Sequence, residues 1–210
     1  VFILWLVSLK LRDVSIIDIW WAPGFALVAW VYAAGVDHDS LRGALCLAVV
    51  TAWALRLGGH LFRRNIGHGE DSRYAAMRRA NRHFSWMSLV TVFGLQGSLQ
   101  VLIALPVYGA ISSLQPMGFW DVFCLVLAGS GLVIEALADE QLRHFKAQPN
   151  SQGQVMDRGL WAWSRHPNYF GNAVLWVGLG GLGLAGGVPW WTFSGPAGMV
   201  FLLLRVSGVS

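Results

Sequence analysis

The chain has 210 residues, 55% of them hydrophobic and only 12% charged. A soluble domain of this size keeps roughly a quarter of its residues charged, so composition excludes an ordinary soluble fold and selects the membrane class. The net charge of +4 would suit a nucleic-acid binder, but the basic residues cluster between apolar runs. That placement reads as an orientation signal, and no nucleic-acid partner is expected.

In chain order, residues 1–9 (VFILWLVSL) form an apolar run that reads as the end of an earlier span. The chain opens without Met and ends on LLLRVSGVS, and both ends read as trimmed. Apolar segments of spanning length follow at 14–36, 43–62, 87–109, 119–138, 170–187 and 190–206. Each approaches the roughly 20 residues a helix needs to cross hydrocarbon. The runs are continuous rather than alternating, which argues against a β-barrel. The expected architecture is all-α and integral to the membrane, with about seven transmembrane helices in one domain over 1–210.

Charge tests that topology. Lys10 and Arg12 close the first run. Arg63, Arg64, Arg73, Arg78, Arg79 and Arg82 fill the connection 62–87, and Arg143, Lys146, Arg158 and Arg165 fill 138–170. The alternate connections hold one basic residue, Arg42, beside Asp37 and Asp39. Alternating helices place the basic loops on one face, cytoplasmic by the positive-inside rule; in a prokaryote the membrane would be the inner one.

Two features read as structural. Cys46 and Cys124 lie in apolar runs without metal or redox spacing, so they read as small buried hydrophobes and no metal is expected. Gly178-Leu-Gly180-Gly181-Leu-Gly183 fits a dinucleotide fingerprint, but that motif works only between a strand and a helix. Inside an apolar span it reads as close helix packing through small residues.

Ionisable residues at membrane depth are costly and therefore mark function by default. Asp18 and Arg56 sit inside spans. Glu135 and Asp139 are four residues apart, on one helical face, and Arg143 extends that face by a turn. Arg56, His60 and Arg63 or Arg64 form a second stripe. Together they suggest a polar cavity open to the basic side; the plainer reading is that they pair only with one another. The basic content of the first loop also suits attraction to anionic lipid, which accounts for Arg78, Arg79 and Arg82 but poorly for Gly69-Glu70-Asp71-Ser72-Arg73-Tyr74. The second loop joins phosphate-scale charge from Arg143, Lys146, Arg158 and Arg165 to His166, Asn168 and Tyr169. With Trp161 and Trp163 beside them, an anionic aromatic cofactor would suit it, as would a phospholipid headgroup.

The run Gly159-Leu-Trp-Ala-Trp-Ser-Arg165-His166-Pro167-Asn168-Tyr169-Phe170-Gly171, preceded by Ala138-Asp139-Glu140-Gln141, resembles the C-terminal signature of steroid 5α-reductases. The chain is more similar still to their bacterial relatives, through Ser15-Ile-Ile-Asp18-Ile-Trp20-Trp21, Arg56-Leu57-Gly58 and Gly69-Glu-Asp-Ser-Arg73-Tyr74. The resemblance implies a seven-helix membrane reductase that uses NADPH. Its cofactor contacts would be Asp139, Arg143 and Lys146 at a helix end, Asn168 near the nicotinamide, and Arg56 and Arg205 on anionic portions. Arg63, Arg64, Arg73, Tyr74, Glu135, Arg158, Arg165, His166 and Tyr169 complete the candidate cofactor set.

The implied reaction is hydride transfer to the C=C of an α,β-unsaturated ketone, a 3-oxo-Δ4 steroid or another lipophilic enone. Asp18 is the candidate donor to the ketone oxygen. The animal enzymes use a glutamate and a tyrosine, and the position matching that tyrosine is Trp53 here, the second catalytic candidate. The Arg-His-Pro-x-Tyr-x-Gly core is shared with membrane isoprenylcysteine and phospholipid methyltransferases. An S-adenosylmethionine-dependent methyltransferase is therefore the rival reading, and a non-enzymatic lipid-binding protein the third. Membrane lipids are expected partners, and a monomer is the expected state.

Overall fold

In the computed structural model, residues 1–205 are described, and among them there are helices and no strand. The order is α1 (Phe2–Leu11), α2 (Ile16–Ala34), α3 (Leu41–Asn65), α4 (Ser72–Ala80), α5 (Phe84–Ser88), a π-helical stretch (Leu89–Gly94), α6 (Leu95–Ile103), α7 (Leu105–Ser112), α8 (Phe119–Lys146), α9 (Pro167–Ala185) and α10 (Ser194–Arg205). Short 3-10 turns, Gly159–Ala162 and Trp190–Phe193, precede α9 and α10.

Four helical segments are long and apolar enough to cross a membrane: Ile16–Ala34, Leu41–Asn65, Phe84–Ser112 and Phe119–Lys146. Among the described residues these four stand where seven were expected, and the other three are not confirmed. The helix α1 has only 10 residues. The helix α9 has 19, but five glycines, two asparagines and a proline dilute its apolar character. The span expected over 190–206 reduces to a 3-10 turn and 12 residues of α10, and its last residue lies outside the described ones.

The chain forms two compact units. The first holds residues 1–31 and 50–104. Its apolar cluster joins Trp5, Val14, Ile17, Tyr74, Phe84, Val92 and Phe93. The motif that resisted a lipid-attraction reading fastens this cluster. Asp71 caps α4 by accepting the Arg73 N–H at 2.9 Å, the usual role of an acid at an N-cap. Its own N–H donates to Ser15 Oγ. Glu70 accepts from Val14 N–H at 2.9 Å and from both Nε and Nη2 of Arg78 at 2.9 and 2.7 Å. Arg78 also donates to Ser85 Oγ, so it is an internal tie rather than a lipid contact. Charge-assisted bidentate bonds of this kind are the strong ones. They clamp α4 against the start of α2.

The second unit holds residues 32–49 and 105–210. Its centre is the α8–α9 pair. A Cβ added at Gly171 would lie 2.5 Å from the Glu135 backbone nitrogen, and one at Gly178 would lie 2.6 Å from that of Ala128. Only glycine lets the two backbones approach so closely. The glycine run at 178–183 is thus a packing stripe, as expected. Cys46 and Cys124 are free and buried. At the start of α8, Asp121 Oδ2 accepts the Gly118 N–H at 2.7 Å. Arg42, only 1% exposed, places all five donors: two on Asp121, and the rest on Ser113 Oγ, Gln115 O and Pro116 O. A buried pair whose guanidinium protons are all matched and whose carboxylate accepts three bonds holds together; removing one partner costs about 3–5 kcal/mol.

At 1.5 Å per residue, the 28 residues of α8 extend roughly 42 Å, beyond a hydrocarbon core of about 30 Å. The excess is about 12 Å, or eight residues, the length of the charged stretch Asp139–Lys146 that closes the helix. Arg143, His144 and Lys146 in that final turn complement the helix dipole.

Candidate functional site

In the first unit the site is built around Asp18, in the first turn of α2. Its Oδ1 accepts from the Tyr74 hydroxyl at 2.8 Å, and its Oδ2 accepts from Arg73 Nη2 at 3.1 Å. Arg73 and Tyr74 are consecutive in the opening turn of α4, so one clamped helix end delivers a donor to each carboxylate oxygen. Gln96 Nε2 donates to the Tyr74 oxygen at 3.5 Å. Burial, then the neighbouring Asp18 charge and its hydrogen bond, push the Tyr74 hydroxyl well above its ordinary value, so it remains a proton-bearing donor at neutral pH. The hydrogen bond from Arg73 is the main reason the Asp71 carboxyl lies below its usual range.

This geometry changes the roles that the chain pattern suggests. Arg73 and Tyr74, expected among the cofactor contacts, stand at Asp18. Trp53 is fully buried, with its ring 5.6 Å from Phe25 in an edge-on contact, which is the environment of a core residue. The tyrosine beside the acid is Tyr74. Its spacing from Asp18, 56 positions, left no periodic signal; the tight alternation of acids, Arg and Tyr in 70–74 was the available clue. Arg56 lies half-buried on α3, while Arg63 and Arg64 are exposed at its end, with Arg64 Nε on Asn65 Oδ1.

In the second unit the expected residues assemble on the end of α8, the connection 147–166 and the start of α9. Two rungs join the helices. Asn172 Nδ2 donates to Glu135 Oε1 and Asn168 Nδ2 donates to Asp139 Oδ1, both at 3.1 Å. Acids four residues apart on α8 thus meet amides four residues apart on α9, and Pro167 at the first position of α9 suits a helix start there. Glu135 and Asp139 are 3% and 6% exposed. Asn168 Oδ1 and Asn172 Oδ1 are buried acceptors with no hydrogen-bond partner among the described residues.

The connection folds back on the helix end. Trp161 Nε1 donates to Ala138 O at 3.0 Å, and Leu160 N–H donates to Gln141 Oε1 at 3.0 Å. Gly159 takes φ +60 there, and a Cβ on it would lie 2.6 Å from Gln141 Oε1. The His166 and Tyr169 rings stack at 5.3 Å.

Arg143 does not continue the Glu135–Asp139 face. It turns outward to Glu140, donating through Nε at 2.8 Å. Lys146, Arg158 and Arg165 are exposed and carry no side-chain ion pair or hydrogen bond among the described residues. Arg158, His144, Glu140 and Gln141 line a cavity of about 280 Å³ with Leu137, Phe145, Gln148 and Met156. Arg205 is exposed in the last turn of α10.

A family model described as a protein of unknown function (DUF1295) matches residues 4–210. Among curated proteins, an uncharacterized protein of Schizosaccharomyces pombe is 27% identical over 208 residues, covering 83% of this chain and 59% of that protein. The chain thus spans about three fifths of that relative's length. No solved structure matches.

Proposed function

We propose that this chain, which belongs to the DUF1295 family across residues 4–210, is a membrane reductase that transfers hydride from NADPH to the C=C of a lipophilic α,β-unsaturated ketone, a 3-oxo-Δ4 steroid being the best candidate. The resemblance of the Gly159–Gly171 run to steroid 5α-reductases supports the class. The observation that carries the reading is the Tyr74 hydroxyl on Asp18 at the head of a span, an acid–tyrosine pair suited to a ketone oxygen.

The residues of the second unit fit the cofactor. The orphaned Asn168 Oδ1 would accept from a carboxamide N–H, held in place by the Asp139 rung. Lys146, Arg158 and Arg165 would hold phosphates, for which exposed Arg and Lys are the appropriate groups. When bound, NADPH supplies the hydride.

The chemistry of the chain's own residues follows. As the β-carbon gains hydride, the C=C electrons move toward the carbonyl and charge builds on its oxygen. The Tyr74 proton turns from Asp18 Oδ1 to that oxygen and stabilises it there, as preorganised donors do for developing oxyanions. Arg73 keeps Asp18 compensated while the phenol is turned away. The α-carbon then takes its proton from water. Asp18 thereby becomes the residue that orients Tyr74, and Tyr74 the donor.

The test is enone reduction by the purified protein in lipid nanodiscs with NADPH and a 3-oxo-Δ4 steroid, the product followed by mass spectrometry as a gain of two hydrogens. Tyr74→Phe should lower turnover on the order of a hundredfold with NADPH affinity unchanged. Equal turnover in the variant removes the pair from the mechanism. Methyl transfer from S-adenosylmethionine, which the His166–Tyr169 stack would also suit, is the competing outcome.

A further inference from the structure

The arginines of the first basic loop divide into two sets. Arg73 is bonded to Asp71 and Asp18, and Arg78 to Glu70 and Ser85, with its guanidinium 5.5 Å from the Phe84 ring centre. Arg79 and Arg82 are exposed and have no side-chain hydrogen bond or ion pair among the described residues. On α4 the buried Tyr74 and the tied Arg78 are four residues apart and face inward; Arg79, 100° further round, faces away.

The turn that follows is built, not loose. Asn81 Oδ1 accepts the His83 N–H at 2.8 Å, and Asn81 O accepts the Phe84 N–H at 3.0 Å. Arg82 and His83 are thereby presented outward. Exposed apolar side chains begin directly afterwards, with Trp86 at 68% and Val90 at 71%, at the start of the span Phe84–Ser112. Unpaired cations, then an exposed Trp, then exposed aliphatics is the order met on passing from headgroups into hydrocarbon. With acids of the loop already consumed by Arg73 and Arg78, the outward surface of α4 and its turn is of one sign.

We infer that α4 and the turn 81–83 form a shelf that binds the phosphates of anionic lipid headgroups through Arg79 and Arg82, while Trp86 marks the hydrocarbon boundary. The occupant is a membrane lipid rather than a soluble phosphate, because the surface continues without a break into the exposed apolar face of a span. Charges so placed gain from an anionic surface and lose that gain in high salt.

The experiment compares thermal unfolding of the protein in nanodiscs of phosphatidylcholine alone and of equal parts phosphatidylcholine and phosphatidylglycerol. The wild type should unfold higher in the anionic discs by about 4–8 °C, and the difference should collapse in high salt. Arg79→Gln with Arg82→Gln should remove most of the difference and leave the value in pure phosphatidylcholine unchanged. Arg78→Gln should lower both values and keep their difference, which separates the shelf from the internal tie. A wild type indifferent to phosphatidylglycerol, or a double variant that keeps the full difference, overturns the inference. So does an equal gain from adding inorganic phosphate to phosphatidylcholine discs.

Discussion

The two basic loops look alike as strings of residues and differ in what becomes of their charge. In the first, Glu70, Asp71 and Asp18 absorb Arg78 and Arg73 and fasten α4 to the head of α2. In the second, Arg143 alone is absorbed, by Glu140, while Lys146, Arg158 and Arg165 remain exposed, and Asn168 Oδ1 is a buried acceptor without a partner among the described residues. A charge that already has its partner stabilises; one without a partner is available to a ligand. Net charge does not separate the two cases. The acids interleaved at 70–71 do.

The largest expected effect tests the second loop. Replacing Lys146, Arg158 and Arg165 together with Gln should weaken NADPH binding on the order of a hundredfold, or about 2.8 kcal/mol, measured by titration of the cofactor's fluorescence. The unfolding temperature without cofactor should not move, because these side chains make no hydrogen bond or ion pair among the described residues. A fall in that temperature would place them with Arg73 and Arg78.

Next in size is the clamp. Glu70→Gln removes the charge from a bond set made by two guanidinium nitrogens and a backbone N–H, and should destabilise the protein by about 2 kcal/mol in denaturant unfolding of the detergent-solubilised protein. NADPH affinity should be spared. An affinity loss equal to that of the triple variant would erase the distinction between the loops.

The smallest effect is in pH. The Arg78 hydrogen bonds hold the Glu70 carboxyl below its ordinary range, as those of Arg73 do for Asp71. A depressed carboxyl pKa contributes stability that is present above the unfolded value of about 4 and is lost as pH falls through the folded value. Wild-type stability should therefore decline below about pH 4, and Glu70→Gln should decline less over the same range. Parallel curves would mean that Glu70 is not the group titrating.

Much of this was legible in the chain. Composition selects membrane helices, and small-residue spacing marks the α8–α9 stripe. The four-residue interval from Glu135 to Asp139 places both on one face. What pattern reading misses is long-range pairing. Arg42 and Asp121 are 79 positions apart, and each looks like an ordinary charge at the edge of a span; only their shared burial makes them a tie. The pairing of Tyr74 with Asp18 was hidden in the same way, since nothing local to position 74 points to position 18. Helix ends also escape a hydropathy reading. Apolar character stops near 138, whereas backbone hydrogen bonds carry α8 on to Lys146. Conversely, α9 is apolar by eye but rich in glycine, because a helix packed inside its unit needs close approach more than a lipid-facing surface.

The most direct measurement of the central claim is ligand-dependent thermal unfolding of the purified protein with NADPH and with S-adenosylmethionine in parallel. A reductase predicts saturable stabilisation by NADPH alone, about 2.7 kcal/mol at a hundredfold excess over the dissociation constant, reduced in the triple variant. Stabilisation by S-adenosylmethionine alone would exclude the reductase and make the chain a methyltransferase.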